Sequence, residues 1–170
     1  MRYFNGFSLQ HEERFFDAFF IESEHCVSGF SYGAQQAFEY VYNSKKRIDR
    51  LILLSPAFFQ TEKSSFLRTQ LRYFEASNEA YVAQFLQNVA HPSSIDLSNY
   101  IDLANKKALE SLLTYLWDEA KIREVLSRGT VIEVFLGEND KIIDSQKAFN
   151  FFTPLATTYF IKNTGHLLNQ

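Results

Sequence analysis

The segment GFSYG at residues 29–33 constrains the fold of this chain more than any other segment. It fits the pattern G-x-S-x-G and lies between a predicted strand at 25–28 and a predicted helix at 34–43. A turn this tight strains the serine backbone, and the flanking positions must lack a Cβ atom. The pattern therefore predicts Ser31 at the tip of a sheet and at a helix N-terminus, where negative charge is stabilised. An ordinary glycine-rich turn between a strand and a helix fits the same five residues.

Strands and helices alternate on both sides of this turn. Further strands are predicted at 1–4, 50–55, 130–136 and 158–161, and further helices at 9–20 and 145–152 with Asp144 as the N-cap of the second. Such alternation is typical of a mainly parallel sheet that is covered by helices on both faces.

The stretch between residues 57 and 128 contains no strand pattern. Three helical stretches are predicted there, at 61–89, 98–117 and 118–128. We therefore expect an all-helical cap, or lid, at 57–128, inserted into a core formed by 1–56 and 129–170 within one compact unit.

Composition narrows the class of protein. The length of 170 residues allows about one domain, and 46% hydrophobic with 22% charged residues is the balance of a globular chain. A net charge of −3 argues against a nucleic-acid partner. The single cysteine excludes an internal disulfide and a cysteine-based zinc site, and it favours a reducing compartment. Without a signal region or an apolar run of membrane length, we expect a cytoplasmic protein with no membrane partner.

A nucleophilic serine needs a base, and the base needs an acid that orients it. Asp140 follows the predicted strand at 130–136, and His166 follows the one at 158–161, so both belong to the edge that carries Ser31. With GFSYG, LLSPAFF, GEND and NTGH in this order, the chain resembles the α/β-hydrolase family over nearly its whole length. The resemblance implies Ser31, His166 and Asp140 as a catalytic triad.

Other residues compete for the roles of acid and base. Glu138 and Asp144 are the alternatives for the acid, although the G-x-x-D spacing of the family favours Asp140. The other histidines are less suitable as a base. His11 lies at a helix start, His25 at the wrong edge of the sheet, and His91 in a loop before Pro92.

An oxyanion hole needs two backbone N–H groups directed at one oxygen. The resemblance implies that Tyr32, directly after the nucleophile, supplies the first. Residues 5–7 read NGF and resemble the family's His-Gly-aromatic motif with asparagine in place of histidine, which makes Phe7 the second donor. A simple turn at the end of a strand is the alternative explanation of NGF.

The chain departs from the family by lacking three strands. Family members have eight strands in the order 1-2-4-3-5-6-7-8, and the chain starts almost at the oxyanion loop. Removing strands 1, 2 and 4 leaves the order 3-5-6-7-8 contiguous, so we expect a truncated α/β-hydrolase fold of about five strands. Residues 1–4 then form an open edge of the sheet.

A narrower resemblance connects the chain with the small carboxylesterases of biotin synthesis, which demethylate the methyl ester of pimeloyl-[acyl-carrier protein]. It implies a serine carboxylesterase without cofactor or metal, a monomer or small homo-oligomer, whose partner is an acyl-carrier protein. Another acyl esterase or a thioesterase is the alternative within the fold. A non-catalytic acyl-carrier-binding module is the alternative from a different class.

Aromatic residues of the predicted cap are candidates for an apolar acyl pocket, with core packing as the alternative: Phe58, Phe59, Phe66, Tyr73, Phe74 and Trp117. Because carrier proteins are acidic, docking requires a local basic patch. The expected patch lies on the cap and consists of Lys63, Arg68, Arg72, Lys106 and Lys107. A second basic cluster at 45–50 precedes a strand, which places it at the opposite end of the sheet.

Overall fold

A sheet of five parallel strands forms the centre of the protein, which a computed structural model describes over all residues from 1 to 170. The strands are neighbours in chain order: β1 (Arg2–Phe4), β2 (Cys26–Phe30), β3 (Arg50–Leu54), β4 (Val131–Gly137) and β5 (Thr157–Ile161). All four pairings are parallel. The expected truncated five-stranded sheet is therefore confirmed, and every strand ends at the same edge.

The central strands are buried on both faces. All five residues of β2 and four of the five in β3 are buried, as expected for apolar strands between two layers of helices. Register aligns their ends, since Phe30 pairs with Leu54 and Gly137 of β4 pairs with Ile161 of β5. The loops that follow these strands consequently leave the sheet close together.

Helices α1 (Tyr32–Asn43) and α6 (Ser145–Phe152) pack against the sheet. Asp144 accepts a hydrogen bond from the Lys147 backbone N–H, so it is the N-cap of α6 as predicted. The predicted helix at 9–20 is instead a shorter 3₁₀ helix, Glu12–Phe19. Its hydrophobic residue Phe16 is fully buried against the ring of Phe30.

The segment between β3 and β4 contains four α-helices: α2 (Ser64–Ala76), α3 (Asn78–Ala90), α4 (Lys106–Thr114) and α5 (Glu119–Ser127). A short 3₁₀ turn, Ser98–Tyr100, precedes α4. The predicted helix at 61–89 was wrong in its continuity, because Ser77 is extended at φ −165° and caps α3 through the Ala80 N–H. The predicted helix at 98–117 is likewise shortened, since Asn105 caps α4.

These four helices share one hydrophobic cluster with the sheet, in which Leu86 of α3 and Leu112 of α4 are buried together with Leu53 and Val134. No helix of the protein has the length and the apolar character that crossing a bilayer requires.

Candidate active site

Ser31 occupies the turn between β2 and α1 in a strained backbone conformation. Its φ of 54° and ψ of −112° lie in a region that residues with a side chain rarely adopt. The turn is held on both sides, because the Ser31 N–H donates to the Leu54 carbonyl and the Ser31 carbonyl accepts from the Ala57 N–H. A Cβ atom at Gly33 would overlap the carbonyl oxygen of Phe4, so only glycine fits there.

The structure brings Ser31, His166 and Asp140 into one hydrogen-bonded line. Ser31 Oγ lies 2.8 Å from His166 Nε2, and His166 Nδ1 lies 2.6 Å from Asp140 Oδ2. Ser31 is 1% exposed and His166 is fully buried. Water is therefore excluded from both hydrogen bonds, which strengthens them.

Asp140 is fixed by its own loop. Its second oxygen, Oδ1, accepts hydrogen bonds from the backbone N–H groups of Ile142 at 2.7 Å and Ile143 at 3.1 Å. The two alternative acids are engaged elsewhere: Glu138 accepts from the Asn163 N–H, and Asp144 caps α6. Only Asp140, among these three carboxylates, contacts His166.

Ser55 supports the loop of His166, a role that sequence analysis missed. It directly follows β3, is fully buried, and its Oγ donates to the backbone carbonyl of His166 at 2.6 Å. The available signal was a hydroxyl residue at the end of an apolar strand, inside LLSPAFF. The three other histidines, His11, His25 and His91, form no hydrogen bond with Ser31.

The two amides predicted for the oxyanion hole border one groove. Tyr32 is the first residue of α1, so its N–H has no acceptor within the helix. The Phe7 N–H donates to no acceptor within the protein. Both residues line a groove of about 450 Å³ beside the loop that follows β1. The Phe7 ring is buried against Phe74 and Phe85.

A cavity of about 500 Å³ is lined by residues of α2, α3 and α4. Three of the predicted acyl-pocket residues, Phe59, Phe66 and Tyr73, line it, and Ile142 connects its wall with the Asp140 loop. The other lining residues are Gln70, Ala76, Ser77, Ala80, Tyr81, Gln84, Phe85, Asn88, Leu112, Leu113 and Lys141.

The other three aromatic residues predicted for the acyl pocket lie in the hydrophobic core and do not line this cavity. Phe58 contacts Phe151 and Phe152. Phe74 packs on Phe7, and Trp117 packs on Phe152 and donates its indole N–H to the Ala57 carbonyl.

All five residues of the predicted basic patch are exposed, but one of them forms an ion pair. Lys106 of α4 forms an ion pair with Glu75 of α2, which neutralises its charge. The side chains that form no ion pair are Lys63, Arg68, Arg72 and Lys107. In the second basic cluster, Arg47 pairs with Asp49, and Arg50 pairs with Glu133.

Comparison with known proteins gives likenesses of structure alone. No protein-family model and no curated protein sequence matches the chain. Naproxen esterase from Bacillus subtilis superposes with a TM-score of 0.54 at 22% identity, over 84% of this chain and 53% of that one. Carboxylesterase CesB from Bacillus subtilis gives 0.57 at 16% identity, over 95% and 62%.

E-2-(acetamidomethylene)succinate hydrolase superposes with a TM-score of 0.60 at 13% identity, over 98% of this chain and 84% of that one. The chain thus spans little more than half the length of the first two structures.

Proposed function

We propose that this chain, whose fold is a truncated form of the α/β-hydrolase fold, is a serine carboxylesterase. The observation that carries the proposal is the buried line from Ser31 Oγ through His166 to Asp140. Two structural neighbours that are carboxylesterases by name add support for this reaction class.

In the proposed reaction, Ser31 Oγ attacks the ester carbonyl carbon while its proton moves to His166 Nε2. Asp140 accepts the Nδ1–H hydrogen bond, which holds the required tautomer and stabilises the imidazolium. His166 then gives the proton to the departing alcohol, and the acyl group stays on Ser31. Water attacks the acyl-enzyme and loses a proton to His166, which returns it to Ser31 Oγ as the carboxylic acid leaves.

The negative charge of the tetrahedral intermediate needs donors in place before the reaction starts. We propose the N–H groups of Phe7 and Tyr32 as these donors. In support, both residues line one groove, and the Phe7 N–H has no acceptor within the protein. The α1 N-terminus adds favourable electrostatic potential at the same place.

For the substrate we propose the methyl ester of pimeloyl-[acyl-carrier protein], on the basis of the sequence resemblance. The cavity of about 500 Å³ is of the size that holds a small ligand, and ten of its fifteen lining residues are hydrophobic, which suits an alkyl chain. The unpaired Arg68 and Arg72 suit an acidic carrier.

The proposal is tested by labelling with a fluorophosphonate and by hydrolysis of three substrates: the pimeloyl-carrier methyl ester, an aryl ester and an acyl thioester. The proposed function requires labelling of the wild type and hydrolysis of the carrier ester. Faster cleavage of the thioester would identify a thioesterase. A folded protein that takes no label and cleaves no ester would favour the carrier-binding module.

Phe66→Ala is expected to change the preferred acyl-chain length with little loss of stability, because Phe66 is half-buried and lines the cavity. Trp117→Ala is the matched control. Trp117 lies in the core, and its removal is expected to cost about 3–5 kcal/mol of unfolding free energy without changing that preference. Hydrolysis of esters of increasing chain length measures the preference, and thermal unfolding measures the stability of each variant. Unchanged chain-length preference in Phe66→Ala would show that Phe66 does not contact the acyl chain.

Reversing two charges on α2, with Arg68→Glu and Arg72→Glu together, is expected to raise KM for the carrier-bound ester roughly tenfold, since each of the two exposed ion pairs that are lost contributes up to about 1 kcal/mol. An aryl ester should be hydrolysed at the wild-type rate. The effect should shrink with added salt, because the screening length falls from about 8 Å at physiological ionic strength. Lys45→Glu with Lys46→Glu is the control, and a larger effect there would place the docking face at the opposite end of the sheet.

A further inference from the structure

Glu12 is a fully buried carboxyl group beside the loop that follows β1, and the proposed reaction does not use it directly. Its Oε1 accepts a hydrogen bond from the Gly6 N–H at 2.6 Å and one from the Tyr3 hydroxyl at 3.2 Å. Its Oε2 is buried without any hydrogen-bond partner. Burial raises the pKa of Glu12, the neighbouring Glu13 adds to the rise, and both hydrogen bonds oppose it.

This arrangement costs folding free energy, because a buried polar oxygen without a partner loses its hydration and gains nothing in return. A hydrophobic side chain at this position would avoid that loss. Such a cost, at a carboxyl group that binds the loop carrying the proposed oxyanion donor Phe7, suggests that the group serves the site.

Gly6 is held by hydrogen bonds on both sides, and Glu12 forms one of the two. The Gly6 N–H is bound by Glu12, and the Gly6 carbonyl accepts from the Leu9 N–H at 3.2 Å. Because a trans peptide unit is planar, its N–H points opposite to its carbonyl. The Leu9 bond therefore directs the Phe7 N–H to the other side of the loop, where it has no acceptor.

Gly6 also sets the distance between this loop and the nucleophile. A Cβ atom at Gly6 would lie 2.7 Å from Cδ1 of Phe30, the residue directly before Ser31. The backbone at Gly6 thus packs tightly against the Phe30 ring. The Phe7 N–H belongs to the next peptide unit, so a displacement of Gly6 would move this N–H as well.

We propose that Glu12 is a positioning residue of the oxyanion hole: its carboxyl group fixes the peptide between Asn5 and Gly6, and thereby keeps the Phe7 N–H aimed at the substrate oxygen. Glu12 does not touch the substrate. The inference rests on the proposed esterase function, and it adds a residue outside the triad and outside the oxyanion donors themselves.

The expected kinetic signature is a loss of kcat at nearly constant KM. The oxyanion forms only in the transition state, so a misplaced donor weakens the transition state and leaves substrate binding almost unchanged. Removal of one oxyanion donor lowers kcat by about 10²–10³-fold. A donor that is displaced but still present should lower kcat by somewhat less.

The test compares three variants on an aryl ester. Glu12→Met keeps the length of the side chain and removes the acceptor, so kcat should fall on the order of 10²-fold with little change in KM. Glu12→Gln keeps an oxygen acceptor for the Gly6 N–H and should restore most of kcat. Tyr3→Phe removes only the second donor to Glu12 and should have nearly wild-type kcat.

Amide hydrogen exchange at Gly6, followed by NMR, gives a readout that does not depend on turnover. Glu12→Met should expose the Gly6 N–H to faster exchange, and Glu12→Gln should leave it protected. Should Glu12→Met fail to fold, Glu12→Asp replaces it: its carboxylate is one methylene shorter, does not reach Gly6, and should show the same loss of kcat.

Wild-type kcat in folded Glu12→Met or Glu12→Asp would overturn the role of Glu12 and leave the esterase proposal intact. Equal losses in kcat for the Gln and Met variants, together with equal losses in thermal stability, would also overturn it in favour of a merely structural role. A wild type that hydrolyses no ester would refute the proposed function first, and the role of Glu12 with it.

Discussion

Ser31→Ala is expected to lower ester hydrolysis by about 10⁶-fold, the typical cost of removing a serine nucleophile. The Ser31 side chain hydrogen-bonds only with His166 Nε2, so its loss leaves the backbone bonds that hold the turn unchanged. Circular dichroism and thermal unfolding should therefore match the wild type. Single-turnover assays on an aryl ester measure the remaining rate.

Ser28→Ala is the matched control, because Ser28 is a second buried serine, on β2, three residues before Ser31. Its hydroxyl has no hydrogen-bond partner. Full activity is expected for this variant, with equal or higher stability. Substantial hydrolysis by Ser31→Ala would mean that Ser31 is not the nucleophile.

Asp140→Asn is expected to lower the rate by about 10⁴-fold through the tautomer of His166. The asparagine oxygen can keep the hydrogen bonds from the N–H groups of Ile142 and Ile143, which turns its NH₂ group towards His166 Nδ1. Nδ1 must then accept, so the ring proton moves to Nε2. A protonated Nε2 cannot take the proton of Ser31.

Glu138→Gln and Asp144→Asn are the controls for this assignment. Both side chains bind backbone N–H groups elsewhere, and the substituted residues keep an oxygen for those bonds. Rates within a few-fold of the wild type are expected. An inactive Asp144→Asn beside a nearly active Asp140→Asn would transfer the role of the acid to Asp144.

The sheet and the triad geometry were predictable because each depends on short-range patterns. The apolar run of β3 marks a central strand of a parallel sheet, and the turn GFSYG marks the end of β2. Parallel strands end at one edge. Ser31, Asp140 and His166 each follow a predicted strand within five residues. Their convergence thus follows from topology, and the structure places them within hydrogen-bond distance of one another.

The remaining features depend on packing between distant segments, which no local pattern encodes. The size of Trp117 indicates burial, yet whether it meets the cavity or Phe152 depends on how α4 and α5 lie on the sheet. The break at Ser77 depends on a serine that fits a helix interior as well as a cap. The hydrogen bond from Gly6 to Glu12 depends on the fold of the whole loop, and the residues NGF alone do not predict it.

The burial of Ser31 has a consequence for turnover. With 1% of this residue exposed and none of His166, the proposed esterase would admit an ester to its nucleophile only while neighbouring segments are displaced. Such motions occur on microsecond to millisecond timescales and set an upper bound on the frequency of catalytic cycles. At rest, the same closure would shield the nucleophile of the proposed esterase from adventitious electrophiles, so that Ser31 would react only during brief intervals of opening.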